Sequence, residues 1–329
     1  MSQPKPYISP PKVRHFLKLS DLSPRELRDL ITRAAQLKLR RDPYYNPLEG
    51  MTLAMLFTKS STRTRVSFEV AMAQLGGHAL FLSPRDIQLG RGEPLADTAR
   101  VLSSMCDALL IRNDSQADQD QIARYSRVPV INGLSERGHP CQLLADLHTW
   151  FETRGDIQNR TVAWIGDGNN VCNSWIEAAQ LLNFKLRVAC PEGFDPNAKL
   201  LEAAKAQVEV MRDPRFAAEG ADLVVTDVWA SMGQEEEQAR RKQALESFQV
   251  NGTLMSMAKK DALFMHCLPA HRGEEVTAEV IDGRQSVVWQ EAENRLHAQK
   301  ALLEFLLKTV KQTAPDQLSM TGQWRVPTA

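Results

Sequence analysis

Apolar residues along this chain fall into short runs separated by longer stretches of helical periodicity. The first clear helix opens at Ser23-Pro24-Arg25-Glu26. Ser23 suits the N-cap, Pro24 suits the first helical position, and Glu26 completes a capping box. Leu27, Leu30, Ile31, Ala34 and Ala35 then recur at helical spacing. Beyond that helix, apolar runs at 51–58, 78–82, 108–112 and 128–131 predict buried strands. Helical stretches near 62–75, 94–105 and 118–126 lie between them. A long helical stretch covers about 141–153, and Gly155-Asp156 breaks it. The alternation restarts with runs at 161–165, 186–190, 208–211, 223–228, 263–266 and 286–289. A last helix is expected over 293–308. Strands alternating with helices indicate βαβ units and parallel sheets.

The expected fold is therefore α/β, with two doubly wound parallel-sheet domains joined by a bridging helix. A chain of 329 residues is long for one ordinary core and comfortable for two. The expected divisions are 12–150 and 151–312, with the helix at 293–308 returning to the first domain. Residues 313–329 contain Pro315, Gly322 and Pro327, lack periodicity, and read as a loose tail or an interaction arm. Ligands of open parallel sheets bind beyond the carboxyl ends of strands. The segments after Thr58, Arg112, Ile131, Ile165, Val228 and His266 are thus the places to look, above all in a cleft between domains.

Charge narrows the choice. Lys plus Arg and Asp plus Glu both number 40, so no global field recruits nucleic acid or an anionic membrane, and an anion site must be local. The six Trp do not interleave with a basic stripe, which weighs further against nucleic acid. Cys106, Cys141, Cys172, Cys190 and Cys267 are odd in number and form no CxxC pair. That disfavours a disulfide framework or a cysteine zinc site and fits a reducing cytoplasm. No apolar run approaches the ~18–20 residues that cross a bilayer. The Pro-rich, polar stretch 1–12 lacks the apolar core of a signal peptide and is expected to be a loose arm.

Several segments carry candidate chemistry. Ser60-Ser61-Thr62-Arg63-Thr64-Arg65 follows a strand and opens a helix. Unpaired N–H groups, hydroxyls and guanidinium groups coincide there as an oxyanion cradle, against the plainer reading of a capped helix with solvated arginines. His139-Pro140-Cys141-Gln142 opens the long helix; His139 is a possible donor to a carbonyl oxygen or simply a structural hydrogen bonder, and Gln142 suits an amide. Gly166-Asp167-Gly168-Asn169-Asn170 approaches a dinucleotide fingerprint, but Val171 stands where its third glycine belongs. Asp227, before Val228-Trp229-Ala230-Ser231-Met232-Gly233, suits an ammonium group. Cys267, in His266-Cys267-Leu268-Pro269, is either a nucleophile or a small buried apolar residue. His266 and His271 have no metal-ligand spacing, so no metal is expected.

Together, the segments 61–65 (STRTR), 139–142 (HPCQ), 227–233 (DVWASMG), 266–269 (HCLP) and 291–295 (EAENR) resemble the aspartate/ornithine carbamoyltransferase family, in its order, over roughly 14–310. DVWASMG, and HCLP followed by Glu274-Glu275-Val276, are similar to its ornithine-specific members. The resemblance implies a carbamoyl-phosphate site of Ser61, Thr62, Arg63, Thr64, Arg112, His139, Gln142, Cys267, Leu268 and Arg295. Gln88 matches a position contributed by the neighbouring chain of a homotrimer. Asn170, Asp227, Ser231 and Met232 match ornithine-contacting positions. Arg112, His139 and Cys267 are the implied catalytic residues, Cys267 either accepting the amine's proton or placing the amine. No cofactor is implied. The nearest rivals are transfer to another amine, such as putrescine or an N-acylated ornithine, and a non-catalytic dinucleotide-binding module on the same fold.

Overall fold

The computed structural model describes residues 13–40, 44–83, 92–229 and 238–313, with side chains as far as 308. The order in the first half is α1 (Pro24–Leu39), β1 (Thr52–Phe57), α2 (Thr62–Gln74), β2 (His78–Leu82), α3 (Leu95–Met105), β3 (Ala108–Arg112), α4 (Gln116–Tyr125), β4 (Val130–Leu134) and α5 (Pro140–Arg154). The second half runs β5 (Thr161–Ile165), α6 (Asn170–Leu182), β6 (Lys185–Ala189), α7 (Ala198–Ala203), β7 (Val208–Met211), α8 (Pro214–Ala218), β8 (Leu223–Thr226), α9 (Gln238–Leu245), α10 (Gly252–Met257), β9 (Leu263–His266), α11 (Ala278–Ile281) and α12 (Val288–Thr313).

Two parallel sheets result, ordered β2-β1-β3-β4 and β7-β6-β5-β8-β9. Leu53 to Phe57 of β1 are all buried, as a strand covered by helices on both faces must be. In each sheet the chain moves outward to one side, then returns to start again on the other. The reversal lies between β1 and β3 in the first sheet and between β5 and β8 in the second. Loops leaving the carboxyl ends of such a pair diverge and leave a crevice.

Helices α5 and α12 tie the halves together. α5 packs on α1 and α6, whereas α12 starts against β9 and then packs on α5, α1 and α2. This explains the polar residues buried in α12, among them Glu291, Asn294, Arg295 and Gln299: each faces another helix or the crevice.

Three expectations need correction. The run at 286–289 is not a strand. Ser286 makes one bridge to Phe264, and Glu291 N already donates to Val287 O at 2.9 Å, closing the first turn of α12. A run as short as Val287-Val288-Trp289 cannot by itself distinguish a strand from a helix start. The expected strand at 128–131 is instead β4, which continues through Asn132 and Gly133. An Asn-Gly pair normally signals a turn, but here Phe16 lies alongside, its N–H donating to Val130 O and its carbonyl accepting from Asn132 N, both at 2.8 Å. The run at 223–228 stops pairing at Thr226, which leaves Asp227 free to turn into the crevice.

Candidate active site

The two crevices face each other across one cleft of about 810 Å³. Its walls include every described residue of the expected site: Ser61, Thr62, Arg63, Thr64, Arg112, His139, Gln142, Asn170, Asp227, Cys267, Leu268 and Arg295. Gln88, Ser231 and Met232 lie outside the described residues.

At the start of α2, Ser61 is the N-cap and its Oγ accepts from Thr64 N at 3.3 Å. Capping and ligand binding are not alternatives here, because the cap orients the same helix end into the cleft. Arg63 donates to the Leu268 carbonyl at 2.6 Å, across to the other domain. Thr64 Oγ1 accepts from Arg112 Nη1 at 3.2 Å and Arg295 Nη2 at 3.1 Å. With both lone pairs engaged, the Thr64 hydroxyl has its own hydrogen left to donate. Arg65 does not join this group. Two positions from Arg63 on a helix, it faces elsewhere, pairs with Glu69 at 2.9 Å and lies over the Phe81 ring.

Arg63, Arg112 and Arg295 therefore converge, and among the described residues none of them forms an ion pair with a carboxylate. Burial, then the charges of Arg295 and Arg63, lower the Arg112 pKa to about 10. It stays protonated at neutral pH, and its buried Nε lacks a hydrogen-bond partner. Like charges concentrated in a poorly solvated place favour a bound anion. His139 sits beside them at the N-cap of α5, 5% exposed, with Nδ1 unpartnered. Burial, followed by the three arginines, holds its pKa well below the ordinary value, so the ring is a neutral imidazole.

The opposite wall is acidic. Asn169 caps α6 through its Oδ1, and its Nδ2 donates to Asp227 Oδ2 at 2.7 Å. Asn170 donates to the Ser135 carbonyl at 2.8 Å. The Cys267 thiol donates to Asp227 Oδ1 at 3.0 Å. Burial, then the neighbouring Asp227 carboxylate, pushes this thiol far above its usual range, so it is not a thiolate near neutral pH. Leu268 has φ +56°, an uncommon state for a branched side chain. Its carbonyl is held by Arg63, and its N–H donates to His266 Nδ1 at 2.9 Å.

Sequence reasoning missed Arg241, which pairs with Asp167 and donates to the Trp229 carbonyl at 2.6 Å. Burial raises Asp167 to about 6 despite Arg241. Nothing marks Arg241 in a charged helix; only the return of α9 to the Gly166-Asp167-Gly168 turn selects it. That turn also has a structural reason for its glycines. Gly166 has φ +133°, and a Cβ on Gly168 would lie 2.3 Å from Pro196 N. Backbone crowding accounts for the partial dinucleotide fingerprint.

Asp227, His266 and Cys267 lie close enough to share an ion. However, His266 Nδ1 accepts from Leu268 N, and its Nε2 is 3.2 Å from Glu275 Oε1. Both ring nitrogens are already engaged, which leaves no lone pair for a metal.

Residues 14–152 match the family description "Aspartate/ornithine carbamoyltransferase, carbamoyl-P binding domain", and residues 158–306 match "Aspartate/ornithine carbamoyltransferase, Asp/Orn binding domain". The chain is 65% identical over 296 residues to an ornithine carbamoyltransferase of Methylococcus capsulatus, covering 90% of this chain and 99% of that protein. It is 59% identical over 298 residues to an anabolic ornithine carbamoyltransferase of Pseudomonas aeruginosa, covering 90% and 98%. The crystal structure of ornithine carbamoyltransferase from Burkholderia thailandensis superimposes with a TM-score of 0.83 at 53% identity, over 90% of this chain and 99% of that one.

Proposed function

The chain belongs to the aspartate/ornithine carbamoyltransferase family, and from that premise we propose how its cleft performs the reaction. The enzyme is a transferase that moves the carbamoyl group of carbamoyl phosphate to the δ-amine of L-ornithine, giving L-citrulline and phosphate. The observation that carries the assignment of roles is the opposition across one cleft of an unneutralised arginine group and the Asp227 carboxylate.

The phosphate of carbamoyl phosphate docks on the α2 N-terminus, with Ser61, Thr62 and Arg63 donating to its oxygens, and Thr64 keeps its one hydroxyl hydrogen for the carbamoyl group. Arg112, Thr64 and neutral His139 point donors at the carbonyl oxygen, where negative charge grows as the amine attacks. The neutral ring at His139 supplies a hydrogen bond without adding a fourth cation. Gln142 and Arg295 complete the carbamoyl side, and Leu268 holds the junction between the two ligands. Asp227, with Asn170, Ser231 and Met232, takes the amino-acid end of ornithine, Asp227 holding the α-ammonium. The high thiol pKa favours Cys267 as a group that places the amine over one that accepts its proton. Ornithine must then arrive with its δ-amine already neutral.

We also propose a homotrimer with shared sites, in which Gln88 reaches the neighbouring chain's cleft. Apolar Val66, Leu80 and Val101 are 51%, 40% and 48% exposed on α2, edge strand β2 and α3, which supports a subunit contact there. Among the described residues no helix is long and apolar enough to cross a membrane. A cytoplasmic setting fits the unpaired cysteines. The test of the assignment is citrulline formation by the wild type and by Arg63→Ala, with putrescine and N-acetylornithine as rival acceptors. Product from either rival at the ornithine rate would overturn the acceptor assignment.

A further inference from the structure

Behind the cleft, the Gln142 amide is held by groups from two helices. Its Nε2 donates to Asp146 Oδ1 at 2.8 Å and to Glu291 Oε1 at 2.9 Å, while its Oε1 accepts from Arg295. Gln142 and Asp146 are one turn apart on α5, and Glu291 and Arg295 are one turn apart on α12. None of the four is more than 2% exposed. Turning the amide over would set its oxygen against two carboxyl groups and its NH₂ against a guanidinium, so only one orientation is stable. Glu291 also reaches the second domain, where its Oε2 accepts from His266 N at 2.9 Å, next to Cys267.

The two carboxyl groups lie side by side, since both accept from the one Gln142 Nε2. Burial above all raises both, Asp146 to about 7 against the pull of Gln142, Glu291 and Arg295, and Glu291 well above the usual carboxyl range. Raised affinities favour one retained proton over two adjacent negative charges, opposite the guanidinium of Arg295. Asp227 is the other charged group acting on Asp146. A buried cluster satisfied in this way is rigid.

We propose that Asp146 and Glu291 are positioning residues for carbamoyl transfer: they lock the Gln142 amide so that its oxygen accepts from the carbamoyl NH₂, and Glu291 keeps that acceptor in register with the strand end bearing Cys267. The proposal rests on the assignment of Gln142 to the carbamoyl nitrogen. Its consequence is selectivity for the NH₂ group itself. Acetyl phosphate has the same phosphate and carbonyl but a methyl group that cannot donate, so it does not depend on the lock. A site built to bond an N–H discriminates against the analogue that lacks it.

The test uses the full chain and its Glu291→Gln, Asp146→Asn, Gln142→Ala and Gln142→Ala/Glu291→Gln variants. The readouts are KM for carbamoyl phosphate and the inhibition constant of acetyl phosphate. Glu291→Gln and Asp146→Asn are each expected to weaken carbamoyl phosphate by about tenfold. Acetyl phosphate should change by less than about twofold, and the double variant should be no worse than Gln142→Ala alone. Equal losses for both phosphates, or losses that multiply in the double variant, would show a purely structural pair and overturn the proposal. If Glu291→Gln does not fold, Asp146→Asn decides by the same ratio. If neither folds, the pair serves the core and the proposal fails. An unchanged carbamoyl phosphate KM in Gln142→Ala would instead remove the Gln142 assignment beneath it.

Discussion

The carboxyl ends of the two sheets share a topology and carry opposite chemistry. At the β1/β3 reversal the chain places hydroxyls, a helix N-terminus, and Arg63 and Arg112, joined by Arg295 from α12. At the β5/β8 reversal it places Asn169, Asn170 and Asp227, with Cys267 arriving from β9. Both crevices arise from the same reversal of strand order. What gives one crevice a cationic lining and the other an acidic one is a handful of residues, most of them just past the strand ends. The fold makes the crevices, and the strand-end residues set their charge.

This comparison can be broken most forcefully on its cationic side. Arg112→Ala is expected to lower kcat by about 100- to 1000-fold, the usual cost of one donor to a developing oxyanion. Citrulline formation in single-turnover and steady-state assays measures it, and a loss below about tenfold would mean that the arginine group does not serve the transition state. On the acidic side, Asp227→Asn is expected to raise KM for ornithine by about 10- to 100-fold, as for loss of a charged hydrogen-bonded partner. KM for carbamoyl phosphate should move far less. Equal changes in both constants would show that the two walls do not divide the ligands.

A third experiment concerns the proton. The δ-amine has a pKa near that of lysine, about 10.4, so its neutral fraction grows about tenfold per pH unit below that value. The kcat/KM for ornithine should therefore rise with pH from about 7 to 9. Cys267→Ser should keep that slope, because the thiol is already protonated throughout. A flat profile in the wild type would exclude amine deprotonation as the controlling event.

The smallest effect expected lies away from both walls, where α12 is fastened to the first domain. Burial raises Glu304, but hydrogen bonds from Arg33, Lys308 and Tyr45 outweigh it and hold the carboxyl at about 2. Because the folded value lies below the unfolded one, its stabilisation is complete above about 4.5 and fades as pH falls toward 2. Glu304→Gln should cost on the order of 2 kcal/mol at pH 7 in urea titrations, and much less near pH 3. Both KM values should stay put, which separates fastening from ligand binding.

Much of this was legible before folding. Ser23 and Glu26 do form the expected capping box, and the buried runs at β1, β3, β5 and β9 announced themselves by composition. The strand-to-helix junction at Ser61 stood out because hydroxyls and guanidinium groups gather at a helix N-terminus, and the folded chain turns that end into the cleft. The run at 286–289 misled because helix and strand starts share short apolar patterns. β4 misled because Phe16, over a hundred positions away, completes its hydrogen bonding.

Local pattern along the chain determined the alternation of strands and helices, the parallel sheets, and the residue types waiting at strand ends, since each depends on neighbours within a few positions. Tertiary structure alone decided which of those residues meet. The crossing of α5 and α12 buries Gln142, Asp146, Glu291 and Arg295 together, and the return of α9 sets Arg241 on Asp167. The shifted proton affinities of His139, Cys267 and Asp146 likewise exist only in the folded chain. Burial and the charges of sequence-distant groups create them, and no local spacing encodes either.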